Sequence, residues 1–361
     1  MKPVILISMN VAPVGGIGAD LLKCIRKLCK QNREVHVIYG FMDPNTPAAI
    51  PDCHVHWHRI YMPKRPPVLA QLFMWLTASL ICRKIKQQKP QAHTICFERL
   101  PLGDTQFACA PNELWMAVRK KMGASPFSKI PYRFWCSWMD HLIQQKKDSG
   151  IIIFSARDRN ALIKNGVQDH RIVQIIIPTD TTRFFPNYDT KKNYITIIGA
   201  DLKLKGIDLA LQAWTGIHAQ FPQLRLRIVT HGWKVRKALP PNLPGIEMVD
   251  FIPDVELYYH SSRLVLMPSL FETWGNVVLE SLACGIPVIA ASEVPSSEVI
   301  STPVAGAVFE RGGTHDSERL KQSILHVLQQ IQTEEHMAER HQLVETFINE
   351  KKDLMQWVEA L

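Results

Sequence analysis

The chain has 361 residues, of which 46% are hydrophobic and 21% charged, which is enough for two ordinary domains with separate cores. Its formal net charge of +9 predicts an anionic partner: a nucleic acid, a membrane surface or a phosphorylated substrate. Eight cysteines lie mostly in apolar runs, and no Cys-x-x-Cys pair occurs. That usage favours reduced core thiols in a cytoplasmic protein over a disulfide framework or a zinc site.

Short apolar runs alternate with helical patterns through the first half of the chain. Strands are predicted at residues 4–9, 34–39, 55–60, 94–97, 106–110 and 151–155, and helices at 19–30 and 68–86. The first run is too short for a signal peptide, and the apolar stretch 68–81, broken by Gln71, is expected to be too short to span a bilayer. This alternation predicts an α/β domain with a parallel sheet.

A second series of strands and helices begins near residue 194. Strands are predicted at 195–199, 225–230, 246–251, 264–267 and 288–291, with a helix at 206–220. Residues 175–186, rich in proline and turn formers, predict a hinge. We therefore expect a first domain at 1–178, a second at 187–340, and a C-terminal helix at 341–361 that returns to the first domain.

The most informative stretch is residues 271–290 with the strand at 263–267 before it, which together predict a strand, a loop, a short helix and a second strand. Glu272 lies just before the helix, and Glu280 follows Asn276 by four residues on the same helix face. The amides of a helix N-terminus favour a phosphate, whereas carboxylates favour hydroxyl groups. A sugar nucleotide carries both, although the two acids could instead simply face water.

These two glutamates resemble a known signature. Gly-Asn-Val follows the first and Ala-Cys-Gly-Ile-Pro-Val-Ile the second, as in the family 4 retaining glycosyltransferases, whose GT-B fold has two Rossmann-like domains facing across a cleft. The resemblance implies that Glu272 lies near the donor sugar and that Glu280 binds the ribose. It also implies that the amides of Gly275, Asn276 and Val277 hold the diphosphate.

A lysine-rich loop follows the strand at 195–199. The resemblance implies that Lys205, in Lys-Gly at the helix start, neutralises the leaving diphosphate. The arginine that the family usually has five residues earlier is Ala200 here, so we expect Lys203 to substitute, as a point charge without the arginine fork. The alternative is a solvated lysine pair.

Two loops of the first half are also candidates. Gly15 and Gly16 follow the first strand, and Leu21 stands where a dinucleotide fingerprint needs glycine. The loop is either a tight turn or, as the resemblance implies, a donor contact. Residues 97–104 resemble the lipopolysaccharide core glucosyltransferases, which implies that Asp104 lies at the acceptor site and Arg99 near an acceptor phosphate. A plain surface loop is the alternative.

Residues 112–147 contain seven lysines and arginines, two acidic residues and six aromatic residues. Such a mixture is typical of contact with an anionic membrane surface. Single-stranded nucleic acid would use the same residue types, and a helical pair with aromatic residues in its core is the third possibility. The residues expected at the membrane are Arg119, Lys120, Lys121, Trp115, Trp135 and Trp138.

No metal is expected. His54, His56 and His58 alternate along one strand face, but the sequence shows no carboxylate or cysteine joining them there. No Asp-x-Asp occurs in the chain, which fits diphosphate binding by amides and lysine alone. The resemblance implies a retaining hexosyltransferase, and with these observations we predict that it is metal-independent and has no cofactor.

The predicted enzyme uses a UDP-sugar as co-substrate and a lipid-linked saccharide, the lipopolysaccharide core, as acceptor, on the cytoplasmic face of the inner membrane. No nucleic acid is expected as a partner. Two alternatives remain open: another sugar-nucleotide enzyme with two Rossmann domains, such as a non-hydrolysing epimerase, and a nucleic-acid-binding protein explained by the positive charge.

Overall fold

The computed structural model describes residues 2–12, 16–44, 46, 50, 54–63, 66–107, 110–123, 125, 130–238, 244–330 and 333–361. The chain forms two compact units. Unit 1 contains Met1–Ile177 and Lys352–Leu361, and unit 2 contains Pro178–Lys351.

The core of unit 1 is a parallel sheet with the strand order β3-β2-β1-β4-β5-β6-β7. The strands are β1 (Val4–Val11), β2 (Val35–Met42), β3 (Val55–Arg59), β4 (His93–Cys96), β5 (Thr105–Phe107), β6 (Gly150–Ile153) and β7 (Ile172–Gln174). The central strand β1 is almost entirely buried, as expected for a parallel strand covered on both faces. The direction in which successive strands are added reverses between β1 and β4, which makes the carboxyl ends of these two strands the switch point of this sheet.

Unit 2 contains a second parallel sheet with the order β10-β9-β8-β11-β12-β13. Its strands are β8 (Tyr194–Ile198), β9 (Arg225–Val229), β10 (Ile246–Val249), β11 (Ser262–Met267), β12 (Val288–Ala291) and β13 (Gly306–Phe309). Here the order reverses between β8 and β11. The prediction of an α/β fold with two Rossmann-like domains is confirmed.

Helices flank both sheets. They are α1 (Gly16–Lys30), α2 (Pro67–Gln88), α3 (Asn112–Lys121), α4 (Ile130–Gln145), α5 (Ala156–Lys164), α6 (Ile207–His218), α7 (Trp233–Ala238), α8 (Glu256–His260), α9 (Asn276–Ala283), α10 (Asp316–Gln329), α11 (Glu334–Glu350) and α12 (Leu354–Glu359). The predicted site residue Gly15 lies outside the described residues, whereas Gly16 begins α1 with a φ of 47°.

Helix α2 packs one face on the sheet of unit 1, where Met74 and Ala78 are fully buried. It is nevertheless long and apolar enough, by length and composition alone, to cross a membrane, with a mean hydropathy of 1.4 over a window that is 28% buried. The prediction that this stretch is too short to span a bilayer is therefore wrong.

The chain returns to unit 1 at Lys352, later than the predicted residue 341. Helix α11 remains on unit 2 because Arg340 is buried and donates to the carbonyl oxygens of Val304 and Gly285, at 2.6 and 3.0 Å. Asp353 then begins α12 with a capping box, which marks the start of a separate helix.

The cysteines differ in part from the prediction. Cys24, Cys82, Cys136 and Cys284 are buried thiols, and burial raises the pKa of Cys82 to about 11. Cys29, however, is disulfide-bonded. The prediction that all eight are reduced is therefore wrong at this position.

Candidate active site

Two loops meet at the switch point of the sheet in unit 2. One follows β8 and the other follows β11, and the backbone N–H of Leu270 donates to the carbonyl oxygen of Leu204 at 2.8 Å. Between the loops, Lys205 Nζ donates to Glu272 Oε1 at 2.5 Å. Their side chains are 28% and 12% exposed, so the pair is partly shielded from water. The structure thus brings together two residues that the sequence predicted to share a site.

The loop after β8 is shaped by a short acidic side chain and a glycine. Asp201 Oδ1 accepts hydrogen bonds from the backbone N–H groups of Lys203 and Leu204, at 3.1 and 2.8 Å, which forms an Asx-type turn. Gly206 then takes a φ of 70°, and a Cβ there would lie 2.3 Å from the carbonyl oxygen of Pro268. Only glycine allows this approach to the end of β11. The side chain of Lys203 is exposed.

The loop after β11 ends in a glycine that presents the N-terminus of α9. Gly275 has a φ of 105°, and a Cβ there would lie 2.7 Å from Ser296 Oγ. Ser296 Oγ also donates to the Gly275 carbonyl oxygen at 2.8 Å, which fixes the loop. The first turn of α9, beginning with Asn276 and Val277, carries no acidic residue. Helix geometry leaves the first N–H groups without intrahelical acceptors, so this end favours an anion.

Asn276 carries a buried side-chain oxygen at the same helix end. Its Oδ1 has no hydrogen-bond partner in the part of the chain that the structure describes. Buried polar atoms are nearly always paired in folded proteins. A ligand with a hydrogen-bond donor at this place would supply the missing partner.

Glu280 is held in place by a tyrosine of α8. Tyr259 Oη donates to Glu280 Oε2 at 2.6 Å, and the tyrosine is fully buried. Burial, followed by the neighbouring Glu280, raises the pKa of Tyr259 well above its usual value, so the hydroxyl stays a donor. The tyrosine therefore fixes the orientation of the carboxylate that the resemblance assigns to a ribose.

Arg311 belongs to the site but was not predicted. It follows β13, and its Nη1 donates to the Pro268 carbonyl oxygen while Nη2 donates to the Lys203 carbonyl oxygen at 3.2 Å. Burial lowers its pKa. Arg311 therefore ties the two loops together and adds a cation beside Gly206, close to the loop where the resemblance led us to expect an arginine in place of Ala200. Its one sequence signal is its place just after an apolar strand.

The switch point of unit 1 also holds a carboxylate, and this one was not predicted. Glu98, just after β4, accepts a hydrogen bond from the backbone N–H of Met9 in β1 through Oε1, at 2.6 Å. Burial raises its pKa. Gly16 begins α1 after the same strand β1, so both lie at loops that leave this edge of the sheet.

The structure separates the two predicted acceptor residues of unit 1. Asp104 precedes β5 and so lies at the amino edge of the sheet, opposite the switch point, where Lys86 pairs with it at 2.8 Å. The prediction that Asp104 lies at the acceptor site is therefore wrong. Arg99 follows β4 at the carboxyl edge, where it forms an ion pair with Asp140 and donates to the Ala110 carbonyl oxygen at 2.7 Å. Its contact with an acceptor phosphate stays a prediction.

By sequence, unit 2 is the part of this chain that a known protein family matches. Residues 192–330 match the family model described as glycosyl transferases group 1. An uncharacterized glycosyltransferase of Haemophilus influenzae is 35% identical over 101 residues, which are 27% of this chain and 29% of that protein. A D-inositol 3-phosphate glycosyltransferase of Rhodococcus jostii is 25% identical over 201 residues, which are 48% of this chain and 44% of that protein. The match thus spans less than half the length of either curated relative.

Solved structures match over the whole chain. WaaG, a glycosyltransferase involved in lipopolysaccharide biosynthesis, aligns with a TM-score of 0.76 at 15% identity, over 99% of this chain and 98% of that one. Anabaena Alr3699/HepE in complex with UDP aligns with a TM-score of 0.68 at 16% identity, over 100% and 98%. At such identities the likeness shows the fold alone. The chain therefore has the two-domain GT-B fold, and its residues 192–330 match the model of the glycosyl transferases group 1.

Proposed function

We propose that this protein is a glycosyltransferase that moves a hexose from a UDP-sugar to a lipid-linked saccharide. The observation that carries the proposal is the Lys205–Glu272 pair, 2.5 Å apart, beside the N-terminus of α9 at the switch point of a group 1 domain. Ligands of open α/β sheets bind at that place.

Each side of the site fits one part of the donor. The first amides of α9 favour an anion, so they bind the diphosphate, and Lys205 offsets the charge that develops on the leaving phosphate. Glu272 positions Lys205 and orients the donor sugar. Glu280, fixed by Tyr259, accepts hydrogen bonds from the ribose hydroxyls.

We further propose that transfer is retaining and needs no metal. The acceptor oxygen forms its bond to the anomeric carbon on the face from which the phosphate departs. The bond between that carbon and the phosphate oxygen breaks, and the departing phosphate takes the acceptor proton. Lys205 and the α9 N-terminus supply positive charge at the leaving group, and the chain contains no Asp-x-Asp.

Uridine is our choice of base because HepE, which has the same fold, has been solved with UDP and with UDP-glucose. The test is a panel of UDP-, GDP- and ADP-sugars, measured by thermal shift and by product analysis with a lipid-linked saccharide. We expect a UDP-sugar to raise the melting temperature and to give a new glycosidic bond with the anomeric configuration retained. An epimerised sugar nucleotide without such a bond would favour the epimerase alternative instead.

The acceptor part of the proposal rests on an exposed apolar face of unit 1. This face is formed by outward side chains of α2 and α4, which are Leu69, Phe73, Leu76, Leu80, Phe134 and Trp138, each 43–73% exposed. Trp75 joins the two helices, since its ring lies 5.7 Å from that of Trp138 and 6.1 Å from that of Trp135. Trp135 itself is buried, so the prediction that it contacts the membrane is wrong.

Positive charge lies on the helix next to α4. Arg119, Lys120 and Lys121 form the last turn of α3, and α3 is attached to α4 through Asn112, whose Nδ2 donates to Ser137 Oγ at 2.9 Å. Apolar side chains beside basic ones favour reversible binding at an anionic lipid surface. We therefore propose peripheral binding to the inner face of the inner membrane, with the lipopolysaccharide core as acceptor.

The basic turn of α3 provides a direct prediction. Each lysine or arginine near an anionic surface adds about 1 kcal/mol, so Arg119→Gln, Lys120→Gln and Lys121→Gln together are expected to weaken binding to anionic liposomes by on the order of 100-fold. Cosedimentation at two salt concentrations measures this. The matched control is Lys164→Gln with Lys191→Gln and Lys237→Gln, three exposed lysines elsewhere. Equal sedimentation of both triple variants contradicts the membrane assignment.

The close packing of Lys205 on Gly199 gives a second prediction. A Cβ at Gly199 would lie 2.6 Å from Lys205 Cγ, so Gly199→Ala must displace the lysine stem. A shift of about 1 Å in a catalytic group can cost on the order of 100-fold in rate, and we expect a fall in turnover of that order with an unchanged circular dichroism spectrum. Gly216→Ala, a glycine on the far part of α6, is the control and should keep its activity.

A further inference from the structure

A cluster of histidines and one glutamate lies at the edge of the sheet in unit 1. Strands β2 and β3 pair in parallel with His36 opposite His56 and Ile38 opposite His58. Glu34, just before β2, lies on the same face as His36 because side chains alternate along a strand. From the sequence we expected no carboxylate beside these histidines, because Glu34 and His36 lie just before and within the neighbouring strand β2. That expectation is now corrected.

The distances in the cluster suit a tetrahedral metal ion. His36 Nε2 lies 3.2 Å and His56 Nε2 3.6 Å from Glu34 Oε1, and ligand atoms of all three residues lie within 4.8 Å of one another. Zinc bonds of about 2.0–2.1 Å separate neighbouring tetrahedral ligands by about 3.4 Å. The His56 ring now stacks on that of His36, with centroids 4.7 Å apart. Because His56 is exposed, its ring is free to rotate out of this stack, and that rotation would bring the three atoms around one ion.

The surroundings hold two of these ligands in place. His58 Nε2 lies 3.0 Å from His36 Nδ1, so the second ring nitrogen of His36 has the kind of partner that orients a metal-bound histidine. Lys89 Nζ contacts Glu34 Oε2 at 2.8 Å and leaves Oε1 directed at the histidines. This nearby cation also lowers the affinity expected for a divalent ion.

We propose that Glu34, His36 and His56 bind one zinc ion, with water in the fourth position. Imidazole and carboxylate ligands suit Zn²⁺, and the exposed side of His56 gives the ion a path from solvent. Binding would join the edge strand β3 to β2 and so stabilise the sheet margin, independently of the proposed sugar transfer in unit 2.

The test is a calorimetric titration of the untagged, chelator-treated full-length protein with zinc chloride, accompanied by thermal melts. We expect one site in the parent and a higher melting temperature with zinc. His56→Ala, which removes an exposed ligand, should weaken binding at least 10-fold and abolish the thermal shift. His58→Ala should weaken binding about 10- to 100-fold, as expected when the partner of a ligand is lost.

The matched control is His54→Ala, on the same strand face but outside the cluster, which should leave the affinity unchanged. Melts of each variant without zinc show whether it folds. The proposal is overturned if the parent shows no zinc-dependent shift, or if His54→Ala weakens binding as much as His56→Ala does.

Discussion

Lys205→Ala is expected to lower the turnover of sugar transfer by about 100-fold or more, because it removes a fixed positive charge from the leaving phosphate. The affinity for UDP should fall less, since the α9 amides remain and the charge of Lys205 matters most when the phosphate departs. Lys205 lies on a loop held by Asp201 and Arg311, so the loop itself should persist.

Single-turnover rates with saturating UDP-sugar, together with UDP titrations, separate these two effects. Lys203→Ala is the matched control: its side chain is exposed on the same loop, and the substitution keeps the backbone N–H and carbonyl groups that Asp201 and Arg311 contact. We expect it to lose only a few-fold. If the two variants fall equally, or if Lys203→Ala falls further, then Lys203 carries the diphosphate and the assignment of Lys205 is wrong.

Glu280→Ala is expected to weaken UDP binding by about 1.5–3 kcal/mol, the range for a hydrogen bond to a charged group. That corresponds to roughly 10- to 150-fold in the dissociation constant, whereas the rate at saturating donor should change little. Titration calorimetry with UDP measures the loss of affinity. The same titration with uracil, which lacks the ribose, shows whether the lost affinity belongs to the ribose contact. Equal losses for both ligands would show a general disturbance of the site.

The Tyr259→Phe variant tests whether Tyr259 contributes to UDP binding by orienting Glu280. It removes the hydroxyl that donates to Glu280 at 2.6 Å but keeps the buried ring. We expect a smaller loss of UDP affinity than for Glu280→Ala, and no further loss when the two changes are combined. Additive losses would mean that the Tyr259 hydroxyl acts independently of Glu280 and does not orient it.

The donor side of the site was predictable because its residues lie in loops that directly follow buried strands. In a parallel sheet all such loops leave at one edge, so Lys205 after β8 and Glu272 after β11 had to come near each other once the strands were neighbours. The shape of the loop before α9 was also predictable, because Gly275 stands just before residues with a helical pattern. The strand order itself, with β8 beside β11, was not available from the pattern.

The remaining residues could not be predicted because their positions depend on the tertiary fold. Arg311 reaches the loops from a strand far away in the chain, and Glu34 meets His56 only through the pairing of β2 with β3. The prediction that Asp104 lies at the acceptor site was wrong for a related reason. Asp104 stands in a short connection, and the sequence did not show that this connection enters β5 at the amino edge of the sheet. The prediction that Trp135 contacts the membrane was wrong because α4 buries the face that carries Trp135 against Trp75.

Helix α12 imposes an order on how the chain folds during translation. Leu354 and Val358 are fully buried on unit 1, Glu359 pairs with Lys27 of α1 at 2.6 Å, and the Ile176 N–H donates to the Lys352 carbonyl oxygen. The ribosome needs roughly 10–40 s to pass from residue 177 to this helix. Unit 2 is contiguous and emerges complete first. Unit 1, although synthesised earlier, is complete only when this helix emerges.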